Sequence, residues 1–323
     1  MAENQKLSLR IYSFTLRRHR SRLADVVFPL NGPISAETPD GTVDIPSALD
    51  LFKCFITNSE TMTDDELSRR IFRCSFNEAN QGETDDFHYL IFSVFSGTYG
   101  YNSNIVDRKT AETVHHNSRD QADEKEFFVT VIVPKNKHGY VARRGLLMFQ
   151  EIGIYGVKSA TESRLQKYFS TQYKITLSTS NLAPDFYLEK IFNSGIIQKI
   201  RVGRYTTSDD AADRVYGAGF AREERILTPI KITSELKRSL KHISSSMHNV
   251  YSIDGIDYPE VKMEVMIGNR QRTINLHGIE ELAIEEILPD ELLMADGAID
   301  FDAFVSTILI FADEYLNHSS IYD

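Results

Sequence analysis

Tryptophan is absent from this chain, and its 323 residues contain only two cysteines, Cys54 and Cys74. Two thiols among apolar neighbours, without Cys-x-x-Cys spacing, make neither a zinc knuckle nor a disulfide framework. They read as reduced core residues and point to a cytoplasmic protein. No run approaches the roughly 18 consecutive apolar residues that a membrane-spanning helix needs. The N-terminal MAENQKLSLR lacks the apolar centre of a secretory signal. The expected protein is soluble, with no direct membrane insertion.

The signatures of common enzymes are missing too. There is no P-loop, no GxSxG elbow and no recognisable Cys–His frame. YGAGFARE offers Gly217 and Gly219, but neither a third glycine nor a strong preceding strand. PDFYLEK holds Asp185, Glu189 and Lys190, the letters of a metal-dependent nuclease in the wrong arrangement. Glu189 and Lys190 are adjacent and helix-like, whereas such cores separate a first acid from a distant acid-x-Lys strand. His115 and His116, with Asp120 nearby, have no HxH or HxxxH partner, and adjacent imidazoles diverge in regular structure. No catalytic residue, metal site or cofactor is predicted.

What the chain does contain is material for folded cores. Its composition is 41% hydrophobic and 11% aromatic, enough to bury interiors throughout. The length suits two or three domains. Shifts in pattern place them at 1–122, 123–245 and 246–323: an N-terminal α+β domain, a central α+β domain, and an acidic hairpin-plus-helices domain.

In the first, residues 7–16 read as a strand, 31–46 as a loop, SALDLFKCFITN as a helix capped by Ser47, and RRIFRCSF and FHYLIFSVFSGTYGY as strands. Residues 107–125 are polar and read as a long loop. In the second, EFFVTVIVP suits a buried central strand. LLMFQEIGIYGV follows as a strand, SATESRLQKYFSTQY as a helix capped by Ser159 or Thr161, and KITLSTS as a strand. PDFYLEKIFNSG reads as a short helix, IIQKIRVGRY as a strand, 206–222 as a linker, and SELKRSLKHISSS as a basic helix. The third holds a hairpin turning at Gly268–Asn269, then acidic helices near 278–287 and 300–317. The fold class is α+β. Mixed, mainly antiparallel sheets carry packed helices, with a small acidic α/β element at the C-terminal end.

Charge is unevenly spread. Residues 246–323 hold 16 Asp and Glu against Lys262, Arg270 and Arg272, a balance of −13. The other 245 residues hold 33 basic and 30 acidic side chains, a balance of +3. Within that part the cations cluster. Arg17, Arg18, Arg20 and Arg22 follow the first strand. Lys135, Lys137, Arg143 and Arg144 flank a turn with His138 and Tyr140 interleaved and no acid between them. Lys199, Arg201 and Arg204 lie along a strand, and Lys237, Arg238 and Lys241 along a helix. Such clusters suit phosphate-backbone contact. The plainer alternative is a solvated face, or pairing with the chain's own acids. The acidic end is either a dimer-forming module or a lid that competes with a polyanion.

From 126 to 205 the chain runs through GLLMFQEIGIYGVKSATESRLQKYF, LEKIFNSG and IIQKIRVGR. In order and texture this resembles the middle of the RexA-like and KwaB-like phage-exclusion and antiphage-defence proteins of bacteria and prophages. The resemblance implies a homodimer that binds double-stranded DNA with little sequence preference, effector activity residing in a second defence protein. It carries over no catalytic residue.

The expected function is therefore nucleic-acid binding, DNA before RNA. Arg17, Arg18, Arg20, Arg22, Lys135, Lys137, Arg143 and Arg144 would contact phosphates, with Lys199, Arg201 and Arg204 as a secondary set. A divergent metal-dependent nuclease and a protein-only interaction module are the alternatives.

Overall fold

The computed structural model describes residues 6–19, 27–137, 139–153, 155–182, 196–206, 221–228, 251–253, 256–258, 260–267, 270–275, 283–294 and 297–317. The chain divides into two compact units, Tyr12–Ser180 and Lys6–Ile11 with Asn181–Ser320. The architecture is α+β and mostly antiparallel sheet.

The first unit takes β1 (Leu7–Arg18) from Tyr12 onward, β2 (Ile34–Thr38), β3 (Gly41–Ile45), α1 (Ala48–Asn58), β4 (Thr63–Asp65) and β5 (Arg70–Ser75). It continues through β6 (Gln81–Glu83), β7 (Phe87–Thr98), β8 (Ser103–Val106), β9 (Thr113–Asn117), β10 (Asp123–Pro134) and β11 (Gly145–Ile152). The short β12 (Tyr155–Gly156), α2 (Lys158–Tyr173) and β13 (Ile175–Asn181) follow.

Strand β10 lies at its centre. It pairs with β7 from Asp123↔Thr98 to Pro134↔Phe87, and on its other edge with β11. Strand periodicity puts Val129 and Val131 on one face. In register, Phe92 and Phe149 flank Val129 while Leu90 and Leu147 flank Val131. All six are closed to solvent. Thr130 and Ile132, on the opposite face, are equally buried. A strand buried on both faces reads as a continuous apolar run, which is why EFFVTVIVP shows no alternation.

Helices α1 and α2 pack on the core side. Phe52 of α1 meets Phe14 of β1 at 5.4 Å and Phe169 of α2 at 5.3 Å, both edge to face. Each such pair adds about 0.5–1.5 kcal/mol beyond the area it buries. The start of β11 passes so close to β1 that a Cβ on Gly145 would lie 2.5 Å from the Phe14 ring and 2.5 Å from the Ile132 carbonyl oxygen. Only glycine fits there.

The second unit holds β14 (Ile196–Thr206), β15 (Ala221–Leu227), β16 (Tyr251–Ile253), β17 (Ile256–Tyr258), β18 (Glu260–Ile267), β19 (Arg270–Asn275), β20 (Ala283–Ile287) and α3 (Phe301–Asn317). Antiparallel pairing runs β15–β14–β18–β19–β20, and Ser8, Leu9 and Arg10 of β1 pair with Ile287, Glu286 and Glu285. Phe304, Ile308, Phe311, Ala312, Tyr315 and Leu316 form the buried stripe of α3.

Several expectations change. Residues 31–46 carry the hairpin β2–β3, and 107–125 carry β9 and the start of β10. Both segments are polar because their side chains are largely exposed, and their backbones are strands all the same. Residues 283–287 are strand rather than helix. Helix α2 begins at Lys158 with Val157 at its N-cap and no side-chain cap, so neither Ser159 nor Thr161 caps it. The expected hairpin at 260–275 and helix at 300–317 are present. Strand pairing also runs across positions 122/123 and 245/246, since β10 pairs with β7 and β18 with β14.

Candidate nucleic-acid interface

In the first unit the structure gathers two of the basic runs around one residue. Strand β1 extends to Arg18, so Arg17 and Arg18 belong to it rather than following it. The backbone of Arg17 bridges to Val27, and Phe28 N–H donates to the Leu16 carbonyl at 2.8 Å. From the turn between β10 and β11, the Arg143 guanidinium donates to the Val27 carbonyl oxygen, and Leu30 N–H donates to the Ala142 carbonyl at 2.8 Å. Arg17 and Arg143, far apart in sequence, thus lie on either side of the same short segment.

Their side chains differ in availability. Arg18, Arg143 and Arg144 are exposed. Arg18 and Arg144 make no ion pair among the described residues. Arg17 is half-buried, donating to Ser178 Oγ at 2.7 Å, and its Nε is closed to solvent without a partner. Beside it, His19 Nδ1 lies 3.2 Å from Thr176 Oγ1. Arg20, Arg22 and His138 lie outside the described residues, as do Lys237, Arg238 and Lys241.

The two lysines of the turn cluster meet carboxylates instead. Lys135 Nζ lies 2.9 Å from Glu83 Oε2, and Lys137 pairs with Asp86. Lys135 is the main reason the Glu83 carboxyl sits below its ordinary range. The acids come from the chain just before β7, which the β7–β10 register brings alongside Pro134. No acid separates these lysines in sequence; the neutralising groups arrive across the sheet.

The secondary set belongs to the second unit. Lys199 and Arg201 share one sheet face and one carboxylate, with Glu264 Oε1 at 3.7 Å from Lys199 and 3.1 Å from Arg201. Arg204 grips Glu223 Oε2 through Nε and a terminal nitrogen at 2.7 and 2.6 Å. The other oxygen of Glu223 accepts from Tyr258 at 3.0 Å and from Arg225 at 3.1 Å. Arg204 first, then Tyr258, holds the Glu223 carboxyl below its usual range.

Ion pairing weakens a phosphate contact without forbidding it. A surface pair is worth about 0–1 kcal/mol, so a cation can leave its carboxylate. The carboxylate stays behind, however, and its repulsion of the phosphate offsets the attraction of the cation. Of the described cations in these runs, Arg17, Arg18, Arg143 and Arg144 make no ion pair among the described residues.

Among the described residues, no three His, Cys, Asp or Glu side chains gather to hold a metal ion. His115 and His116 sit in β9 opposite Ile105 and Asn104, on alternate faces of the hairpin. Asp185, Glu189, Lys190, Gly217 and Gly219 lie outside the described residues. No described helix is long and apolar enough to cross a membrane.

Sequence reasoning passed over Arg164 and Lys167 on α2 and Asp64 and Asp65 on β4, which line one cleft. Two cations one helical turn apart, Arg164 at the edge of the buried stripe of Leu165 and Phe169, were a visible signal. Their acidic counterpart is supplied by a strand much earlier in the chain. No protein-family model matches this chain, and no curated protein matches it.

Proposed function

We propose that this protein binds nucleic acid, double-stranded DNA first and RNA second, by backbone contact with little base readout. The observation that supports the reading is the approach of the Arg17 backbone and the Arg143 guanidinium to Val27, each with an exposed arginine, Arg18 or Arg144, next to it in the chain. Guanidinium groups suit phosphate because their planar fork can donate two hydrogen bonds at once. Contacts of this kind fix position along a duplex and carry no sequence information. The resemblance of 126–205 extends the proposal to a cytoplasmic homodimer acting with an effector protein in antiphage defence.

The charge reversal Arg143→Glu/Arg144→Glu should weaken binding to unrelated duplexes by about the same factor. Gel-shift titrations on three sequences of different composition measure it. Loss confined to one sequence, or no loss, contradicts the assignment. A protein-only interaction module is the competing reading, favoured by the carboxylates already on Lys135, Lys137, Lys199, Arg201 and Arg204. Absence of any salt-sensitive shift decides for it.

A further inference from the structure

We propose that the cleft between α2 and β4 binds a small amino acid, a zwitterion whose carboxylate meets Arg164 and Lys167 and whose ammonium meets Asp65. The cleft lies within the first unit and encloses about 570 Å³, within the roughly 300–1,000 Å³ of small-molecule sites.

Arg164 and Lys167 form the basic wall of the cleft, and Arg164 is the more buried of the two. For Arg164 the contacts are few. Its guanidinium lies 4.3 Å from the centroid of the Phe72 ring. It makes no hydrogen bond and no ion pair among the described residues, although it is half-buried. Burial pulls its pKa below the usual arginine value. A guanidinium has five N–H donors, and those of Arg164 meet no acceptor among the described residues, which leaves them available to one that enters the cleft. A planar carboxylate fits that fork on two atoms. Lys167, one turn further along α2, is exposed and also has no ion pair among the described residues.

The acidic wall is held in place. Asp65 accepts from the Ser68 hydroxyl at 2.8 Å, and that bond is the main reason its pKa is lowered. Asp64 accepts from the Tyr99 hydroxyl at 2.6 Å. Both carboxylates are fixed by neutral donors, and Asp64 takes the face of β4 opposite to that of Asp65. Asp65 and Arg164 attract each other electrostatically, yet no nitrogen–oxygen distance between them falls within 4 Å. Opposite charges that face one cleft without meeting are what a zwitterion bridges. A polyphosphate would be repelled by one wall and a polyamine by the other.

The test is a thermal-shift and calorimetric series on the full chain. The probes are glycine, 4-aminobutyrate and 6-aminohexanoate, with propionate and propylamine as single-charge controls. At least one amino acid should bind tenfold or more tightly than either control and raise Tm in proportion to the logarithm of its concentration. Arg164→Met and, separately, Asp65→Asn should each weaken that probe about tenfold or more. Lys167→Ala, an exposed change that leaves the core untouched, should weaken it several-fold and serves if Arg164→Met does not fold. Equal binding of propionate, no binding by any amino acid, or full binding by the variants overturns the proposal. None of these results bears on DNA binding, which is read separately by gel shift.

Discussion

Arg272 is closed to solvent, and its Nε donates to Glu286 Oε1 at 2.8 Å while Glu314 Oε2 lies 3.7 Å from a terminal nitrogen. Tyr315 donates to the same Glu286 oxygen at 3.0 Å, and the other oxygen, Oε2, is buried without a partner. Burial raises the Glu286 pKa, and Arg272, the main opposing influence, does not cancel it. A carboxyl whose folded pKa lies above its unfolded one holds its proton more tightly in the folded state. Its contribution is therefore full below the unfolded pKa of about 4.5 and is lost as pH rises through the folded value. Glu286→Gln removes that titration, so its Tm relative to the parent should climb as pH is raised from 4 toward neutrality. A constant difference across that range contradicts the reading. Arg272→Met leaves Glu286 and Glu314 without their cation and should cost about 3–5 kcal/mol in denaturant unfolding, as breaking a buried pair does. This network was hidden from the sequence because 278–287 reads as an acidic helix. On a helix, Glu285 and Glu286 are surface charges. On β20 they take opposite faces, and Glu286 turns to the buried one opposite Arg272.

At the scale of elements, the two helices of the first unit begin differently. Ser47 caps α1 by accepting from Asp50 N–H at 3.3 Å while donating to the Asp50 carboxylate at 2.7 Å. Ser47→Ala should cost about 1 kcal/mol, measured as a shift of the urea midpoint at unchanged slope. Helix α2 has Val157 where a capping residue would stand. Val157 is buried in the aromatic core, and burying such a side chain stabilises by about 1.5–3 kcal/mol, more than the roughly 1 kcal/mol of a cap. Packing wins, and a cap search on Ser159 and Thr161 therefore misplaces the start. The same competition governs which elements the sequence revealed. Strands β10, β13 and β14 and helices α1 and α3 announced themselves through apolar residues at core positions. The hairpins β2–β3 and β8–β9 point mostly polar side chains at solvent, so composition alone made them loops. In β2–β3 only Ile34, Ala36 and Ile45 reach the core, too few apolar positions among polar ones to mark the strands, and neither face of β8–β9 is buried.

Across the whole molecule, attraction for a polyanion has to come from arrangement. Residues 12–180 contain 20 Lys and Arg against 21 Asp and Glu, so the net charge of the first unit draws no anion. The cations were legible in the sequence; their partners were not, since Glu83 and Asp86 reach Lys135 and Lys137 only through the β7–β10 register. Whether the acidic end competes with a polyanion is a question of its charge, and removing 246–323 would change more than charge. That cut takes β18, β19 and β20 from the sheet and leaves β14 without a neighbour on one edge. Charge-neutralising substitutions on exposed acids such as Glu291 and Asp302 leave the sheet intact. Phosphate binding is read out by the affinity for a DNA duplex across a salt series, for the parent chain and for Arg143→Ala/Arg144→Ala. With the three exposed guanidinium groups of Arg18, Arg143 and Arg144 on phosphates, log affinity should fall against log salt with a slope of about −2.7, and the double variant should flatten it by about 1.8. A slope near zero, or one the variant leaves unchanged, would contradict a phosphate-binding role for the arginines around Val27.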